Sequence, residues 1–457
     1  VAVGYNSLDA NTTGEQNTAV GYQSLSTGTT ASENTACGYN ALINTTTGSN
    51  NTAVGRATLS LNTTGTGNTA VGKDALNANT TGAINVAVGR DALKANTTAD
   101  NNTAVGESAL EATTTGASNT AIGTEAGQAN TTGHSNAALG KRALYTNTTG
   151  DSNTAIGKDA LYAATTADAN TAIGADALTT NTTGNNNTAV GFEALLNTTT
   201  GSKNIAVGYQ AGEQITTGNG NTAVGYQAAK SRTTGANMTA IGYNALRSAT
   251  TADQCCGVGD NAAYSTTTEI NNVAVGTNAL YSCTSSNNTA IGRYANMLLT
   301  TGDQTTSIGA NAGYHSTTGS YNLNLHGSPS SATASNEITL GNTGHTTLRC
   351  NDTSIGSLSD RRDKTDIVDL PVGLSFLNTL KPRQFKWKTR DGNIKDNTVR
   401  CGFIAQEFQD AEKDYKYLKL VYDENPNRLE ANEGHLIPVL VKAIQELSAK
   451  VTALEAA

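Results

Sequence analysis

The chain has 457 residues, of which 37% are hydrophobic, 5% aromatic and 14% charged, with a formal net charge of −8. So few large apolar side chains exclude a conventional enzyme core over most of that length, and the acidic balance argues against a nucleic-acid partner. No run reaches the roughly 18 apolar residues of a membrane span, and no signal-peptide pattern opens the chain, which starts at Val1, so an upstream segment is expected.

Composition divides the chain. All five prolines, the single Trp387 and four of the five Phe lie beyond residue 328. Residues 359–457 hold 16 Lys+Arg and 16 Asp+Glu and are neutral, so the whole −8 belongs to the first 358 residues. Three segments follow: a repeat over 1–320, a β connector or tip over 321–358, and a charged globular part over 359–457.

In the first segment the Gly of an Ala-Val/Ile-Gly step recurs every 17 residues from Gly4 to Gly276, then at Gly292 after one shorter coil, and at Gly309. The 19 copies read roughly Asn-Thr-Ala-Val-Gly-x-x-Ala-Leu-x-x-Asn-Thr-Thr-Gly-x-x. The residue before the Gly is Val, Ile or Leu except at Cys37, the fourth after it is Leu in 13 copies, and the eighth is Thr in all 19. Asn stands four before the Gly in 15 copies, as at Asn17, Asn34 and Asn51. Such positions predict ladders along parallel in-register strands, with stacked Asn amides bonded to one another and Thr-Thr-Gly or Thr-Thr-Ala supplying a turn.

A period of 17 is too short for a helical-hairpin repeat and is rich in strand and turn formers. The fold class is therefore mainly β, a β-solenoid or β-roll of 17-residue coils. At about 4.8 Å per coil, 19 coils make a rod on the order of 90 Å long. Successive strand residues face opposite sides, yet Ala and Val are adjacent before the Gly. One coil interior covers only one of these apolar stripes, so the second asks for partner chains, most simply two further copies around a threefold axis.

The repeat offers little chemistry of its own. Asn-x-Thr triplets such as Asn11-Thr12-Thr13 match a glycosylation acceptor, but turn and ladder roles account for them. Paired Thr suggest an ice-binding rod, against which the adjacency of the two Thr argues. The Gly spacing matches no phosphate loop. Tyr5, Tyr22, Tyr39, Phe192, Tyr209, Tyr226 and Tyr243 read as lateral packing ahead of a sugar-binding surface. Cys37, Cys255, Cys256, Cys283, Cys350 and Cys401 form no Cys-x-x-Cys pair and read as small buried hydrophobes. The five His are scattered, so neither a metal nor a cofactor is expected.

Beyond the repeat, Glu337 to Arg349 reads as strand, turn, strand. Arg383, Phe385 and Trp387 alternate with Lys386 and Lys388 before Asp391-Gly392, a strand entering a hairpin turn. Near the end Leu440, Ile444, Leu447, Val451 and Leu454 recur at heptad steps, which predicts a parallel trimeric coiled coil from about residue 436.

Two resemblances follow from these residues. The Asn-Thr-Ala-Val-Gly-Tyr-Gln-Ser-Leu pattern of residues 17–25 resembles the head repeats of trimeric autotransporter adhesins and collar or shaft repeats of bacteriophage tail fibres, which form trimeric β-rolls. Ser359-Asp360-Arg361-x-x-Lys364-x-x-Ile367, Phe385-x-Trp387, Gly402-Phe-Ile-Ala-Gln-Glu407 and Leu436-Ile-Pro-x-Leu440-x-x-Ala443-Ile444-x-Glu446-Leu447 resemble the intramolecular chaperone domain of phage tailspikes and fibres, also called the S74 peptidase domain. That resemblance implies a small α+β domain over 359–457 in which Ser359 and Lys364 form a self-cleaving dyad at the Leu358-Ser359 bond. It also gives Lys364 a physical requirement, since a lysine becomes a base only when burial strips its water.

The reading is a homotrimeric tail-fibre or tailspike shaft in a virion, assembled in a host cytoplasm. Its partners are its own copies, an upstream virion component and a host surface receptor, a glycan or a surface protein. A bacterial trimeric adhesin or surface fibre that keeps the last domain as a trimerisation cap is the alternative. A polysaccharide-degrading spike would need paired carboxylates in a groove, and the repeats carry only scattered ones such as Asp74, Asp91 and Glu107.

Overall fold

The computed structural model describes residues 1–329, 332–341, 361–386, 398–423 and 429–457, which fall into two compact units, Val1–Leu340 and Gly341–Ala457. In the first unit, 21 short strands from Ala2–Val3 to Ile338–Leu340 stack as one parallel sheet. Each residue pairs with its equivalent in the next coil, as Ala53 with Ala70 and Val54 with Val71. The shorter coil keeps this register, pairing Val275 with Ile291. The stack continues past residue 320: Leu323–Leu325 and Ile338–Leu340 add two further rungs, the last being the first strand expected after residue 337, while the expected turn and second strand up to Arg349 lie outside the described residues.

The coil interior is thin and repetitive. Ala at the middle of the strand and the Ala-Leu pair after the turn are buried, as at Ala70, Ala75 and Leu76. Beside them runs the expected Asn ladder. Asn51 Oδ1 accepts the backbone N–H of Asn68 at 3.0 Å and its Nδ2 at 3.2 Å, while Asn51 Nδ2 donates to Gly65 O at 2.9 Å. The carboxamide is fully used, so burying it carries no unpaired penalty. A second ladder stands seven residues after the Gly, where Asn79 Nδ2 donates to Asn62 Oδ1 and to Gly82 O, both at 2.9 Å. Asn62, Asn79, Asn96, Asn130, Asn147 and Asn181 belong to Asn-Thr-Thr triplets yet are buried, so in the folded rod they are ladder residues and not accessible acceptors, whereas Asn11 in the first coil is exposed.

The turn is made in an unusual way. Leu25 and Leu42 sit at φ of 50° and 54°, the left-handed region, and are buried. A left-handed residue costs about 1–2 kcal/mol, and burying a leucine returns about 1.5–3 kcal/mol. Burial therefore offsets the strain, and the side chain fills the coil. The repeating Gly differs. Gly140 has φ 135°, and a Cβ there would lie 2.6 Å from Gly157 O and 2.7 Å from Gly157 C.

The outer face of the sheet carries an apolar stripe. Val20, Val54, Val71, Ile122, Leu139 and Ile308, each just before the Gly, leave 36–46% of their surface exposed. Cys37 occupies the same stripe and is exposed, as is Cys401, and Cys256 is half-buried, so the expectation that the cysteines are buried holds only for Cys255 and Cys283 among the described residues; Cys350 lies outside them. The aromatics stack on one another along the rod, with ring centroids of Tyr5, Tyr22 and Tyr39 5.4 and 5.2 Å apart, and Phe192 through Tyr243 continuing the same pattern.

One stretch of the interior departs from the repeat. The Asn ladder is interrupted by Met238 and Cys255, and Arg232 is fully buried across the gap. Its Nε donates to Asn221 Oδ1 at 3.0 Å and Gly235 O at 3.1 Å, and Nη2 to Ala236 O at 3.1 Å. Asp253 lies 3.3 Å away. Burial lowers the pKa of this guanidinium.

The second unit is small. Helices α1 (Leu374–Leu377), α2 (Ala405–Ala411) and α3 (Ile437–Glu455) and two strand pairs, Arg383–Phe385 with Arg400–Gly402 and Val421–Tyr422 with Glu430–Ala431, surround Val372, Phe376, Phe408, Leu420, Leu436 and Val439. The pairing of Arg383 with Gly402 matches the expected hairpin, whose Asp391-Gly392 turn and Trp387 lie outside the described residues.

Candidate self-processing and assembly site

The described part of the second unit resumes at residue 361 with an exposed segment. Arg361–Asp363 forms one 3-10 turn, and Lys364 N donates to Arg361 O at 3.2 Å. Lys364 is exposed, and Ile367 and Val368 follow it at 55% and 83% exposure. Leu358 and Ser359 lie outside the described residues, so Lys364 is the described half of the expected dyad. An ε-ammonium gives up its proton readily only when desolvated. In the single chain the Lys364 side chain is exposed.

The recognisable motifs build the small core behind it. Gly402 ends its strand, Phe403 meets Phe408 with centroids 4.6 Å apart, and Glu407 on α2 reaches back to Arg383, whose Nε donates to Glu407 Oε2 at 2.9 Å. Hydrogen bonding to Arg383 pulls the Glu407 carboxyl below the usual carboxylate range. The pair is exposed to solvent, so it orients the hairpin against α2 and adds little stability. Buried Glu412 accepts the N–H of Leu420 at 2.7 Å.

Helix α3 has two working faces. Leu436, just before it, with Val439 and Ala443 is buried in the core, and Glu446, one turn further, accepts the N–H of Leu374 at 2.9 Å. That carboxylate supplies the acceptor that the first turn of α1 lacks, because Gly373 makes no side-chain cap. On the other face Leu440, Ile444, Leu447, Val451 and Leu454 are 39–77% exposed. The heptad seam is thus no part of its own chain's core.

Residues 359–418 match the family model described as the chaperone of endosialidase, Peptidase S74. The C-terminal unit thus carries a chaperone-of-endosialidase domain. No curated protein and no solved structure is matched by the chain. Helix α3 follows the matched part of the chaperone domain, and the solenoid precedes it.

Sequence reasoning misses three things here and in the rod. Glu446 stands in a motif that gives it no role; its place one turn beyond Ala443 on the buried face is the available signal. The second Asn ladder reads in sequence as turn residues, although its recurrence in register with the Gly is visible. Arg232 draws no attention in sequence, although it stands at a position where no other coil carries a charged residue and shortly before the first break in the Asn ladder.

Proposed function

We propose that the chain forms a homotrimeric attachment fibre, a tail-fibre or tailspike shaft of a virion, whose chaperone domain sets three chains in register and then releases itself. The observation that carries this reading is the pair of exposed apolar seams, the Val/Ile stripe along the solenoid and the heptad face of α3. A threefold axis would bury both with a single kind of chain.

Release follows from the same assembly. Once partner chains cover Lys364, its neutral amine takes the proton of Ser359 Oγ. The Oγ–C bond to the Leu358 carbonyl forms, the C–N bond breaks, and the proton passes to the freed α-amino nitrogen. Water then hydrolyses the ester, leaving the Leu358 carboxylate and the Ser359 hydroxyl. Cleavage is thereby tied to trimerisation, and the fibre becomes a kinetic trap.

Sedimentation equilibrium of the purified chain with denaturing mass spectrometry of the same sample tests this. A trimer whose chains end at Leu358 agrees with it; a stable folded monomer of the solenoid refutes it. Deleting residues 359–457 from the gene is expected to give misassembled, aggregating rods, and soluble trimers from that deletion would refute the chaperone role.

A further inference from the structure

The side of the solenoid that follows the Leu turn carries a trough across five coils, with a volume of about 600 Å³. Its floor is Ala78, Ala95, Ala112 and Ala129, at the same position of four consecutive coils. Their N–H groups are bonded to the next coil at 2.9–3.0 Å, so the floor is rigid. The coils on either side close it with larger residues at this position, Asn44 and Leu61 on one side and Thr146 on the other, and nowhere else do consecutive coils carry Ala there. The trough is a local feature and not a property of the repeat.

Its walls are polar. Asn77 spends its Nδ2 on Ala57 O and Ser60 Oγ, at 2.9 and 2.8 Å, and so presents its oxygen. Gln128 spends its Nε2 on Glu111 Oε2 at 2.8 Å, leaving Gln128 Oε1 and Glu111 Oε1 without a donor among the described residues. Lys94 is held by Asp91 at 3.0 Å and keeps further N–H groups for a ligand. At one end stands Tyr145. It stacks on Tyr162 with centroids 5.0 Å apart and planes 2° from parallel, so its opposite ring face borders the trough.

We infer that this trough binds a neutral oligosaccharide. A flush methyl floor is too shallow for a bulky side chain, but it suits the C–H face of a pyranose, and the free face of Tyr145 offers a second such platform. The walls are rich in acceptors, which calls for a ligand rich in O–H donors. With Lys94 paired to Asp91, the Glu111 carboxylate is the uncompensated charge at the trough and disfavours an anionic polymer. A pyranose unit is about as long as one coil is thick, so successive units fall in step with the rungs. The inference deepens the attachment role proposed above, by naming the class of receptor and its place.

The test uses the full-length chain and saturation-transfer NMR with five neutral tetrasaccharides, of glucose in two linkages, mannose, galactose and N-acetylglucosamine, and with tetragalacturonate as the acidic comparison. At least one neutral probe is expected to bind, with tetragalacturonate silent. Ala112→Leu, which places in the trough the residue that Leu61 already is in another coil, is expected to weaken binding at least about tenfold. Ser248→Leu, at the same coil position away from the trough, is expected to leave it unchanged. The inference is overturned if no neutral probe binds at about 10 mM, a weaker level than any useful site, or if Ala112→Leu binds as wild type does. Sedimentation of the same samples reads the trimer separately, so loss of the sugar site and failure of the fibre reading are distinguishable.

Discussion

Replacing Gly140 by Ala separates the two reasons a coil could require glycine. At Gly140 the backbone has φ 135° and a Cβ would come within 2.6 Å of Gly157 O. Gly150, ten residues further in the same coil, also faces a close backbone approach, from Ala167 O, but its φ is not in the left-handed range. Ala occupies that second position at Ala31, Ala99, Ala167 and Ala252, so the rod yields to the extra methyl there. The position of Gly140 is Gly in all 19 repeats. Backbone conformation, more than crowding, then sets the cost of a side chain at Gly140. A residue forced into such a region costs about 1–3 kcal/mol, and at the upper end, about 3 kcal/mol, local opening rises roughly 100-fold. Because a solenoid is coupled mainly between neighbouring coils, the loss should centre on the strands Ala137–Leu139 and Thr154–Ile156. Native-state hydrogen exchange measures it directly. Gly140→Ala is expected to lower protection of those strands by about two orders of magnitude, and Gly150→Ala by less than about fivefold. Equal effects from the two, or none from Gly140→Ala, would refute the reasoning.

Asn68→Ala removes the acceptor of two Asn85 donors and the donor to Gly82 O, all buried, and is expected to destabilise the surrounding coils by about 3 kcal/mol, read as a fall in urea midpoint of the rod. Arg232→Asn alone should lower the thermal midpoint, since Met238 cannot supply the missing donor to Asn221 Oδ1; Arg232→Asn with Met238→Asn extends the first Asn ladder by one rung, returns a carboxamide donor to Asn221, and should recover part of the loss, as calorimetry would record. For processing, Ser359→Ala, Lys364→Ala and Lys364→Arg are each expected to give an uncleaved chain that still sediments as a trimer, the last because a guanidinium does not act as a base at accessible pH. A cleaved Lys364→Arg chain in denaturing mass spectrometry would remove Lys364 from the dyad.

Much of the rod is legible in sequence because each rung repeats one environment. Asn17, Asn34 and Asn51 read as a buried ladder since only stacked, in-register strands give one carboxamide the same partner in every coil. The left-handed Leu25 and Leu42 are not legible, because intrinsic preference sets leucine against positive φ, and only the packed coil shows burial outweighing it. The stack also runs on to Leu340 where the repeat count ends near residue 320. There His326, at φ 60°, takes the place of the repeating Gly, so the marker is lost while Leu323 and Leu325 still pair with the rung before them. In the chaperone domain the heptad pattern tells where an apolar face lies but not what it faces. Val439, Ala443 and Glu446 answer that, by turning the other side of α3 to the core.

The regularity that makes the rod easy to read also makes it hard to assemble. In the proposed trimer each coil adds one half-exposed Val or Ile to the shared stripe, a burial worth about 0.5–1 kcal/mol. Sliding one chain by a single coil forfeits only that much, because every other coil meets an equivalent one. Registers one coil apart would then differ by a factor of a few, far too little to select one assembly. The α3 seam has no such degeneracy. Shifting Leu440, Ile444, Leu447, Val451 and Leu454 by a heptad leaves two of the five without a partner, at about 1.5–3 kcal/mol each. It also moves the core-facing Val439 and Glu446 relative to the neighbouring chains. A short non-repeating helix therefore discriminates between registers that the long repeat cannot tell apart. On the proposed mechanism, this is why a domain of that kind follows such a rod, and why release would come only after the coils have locked.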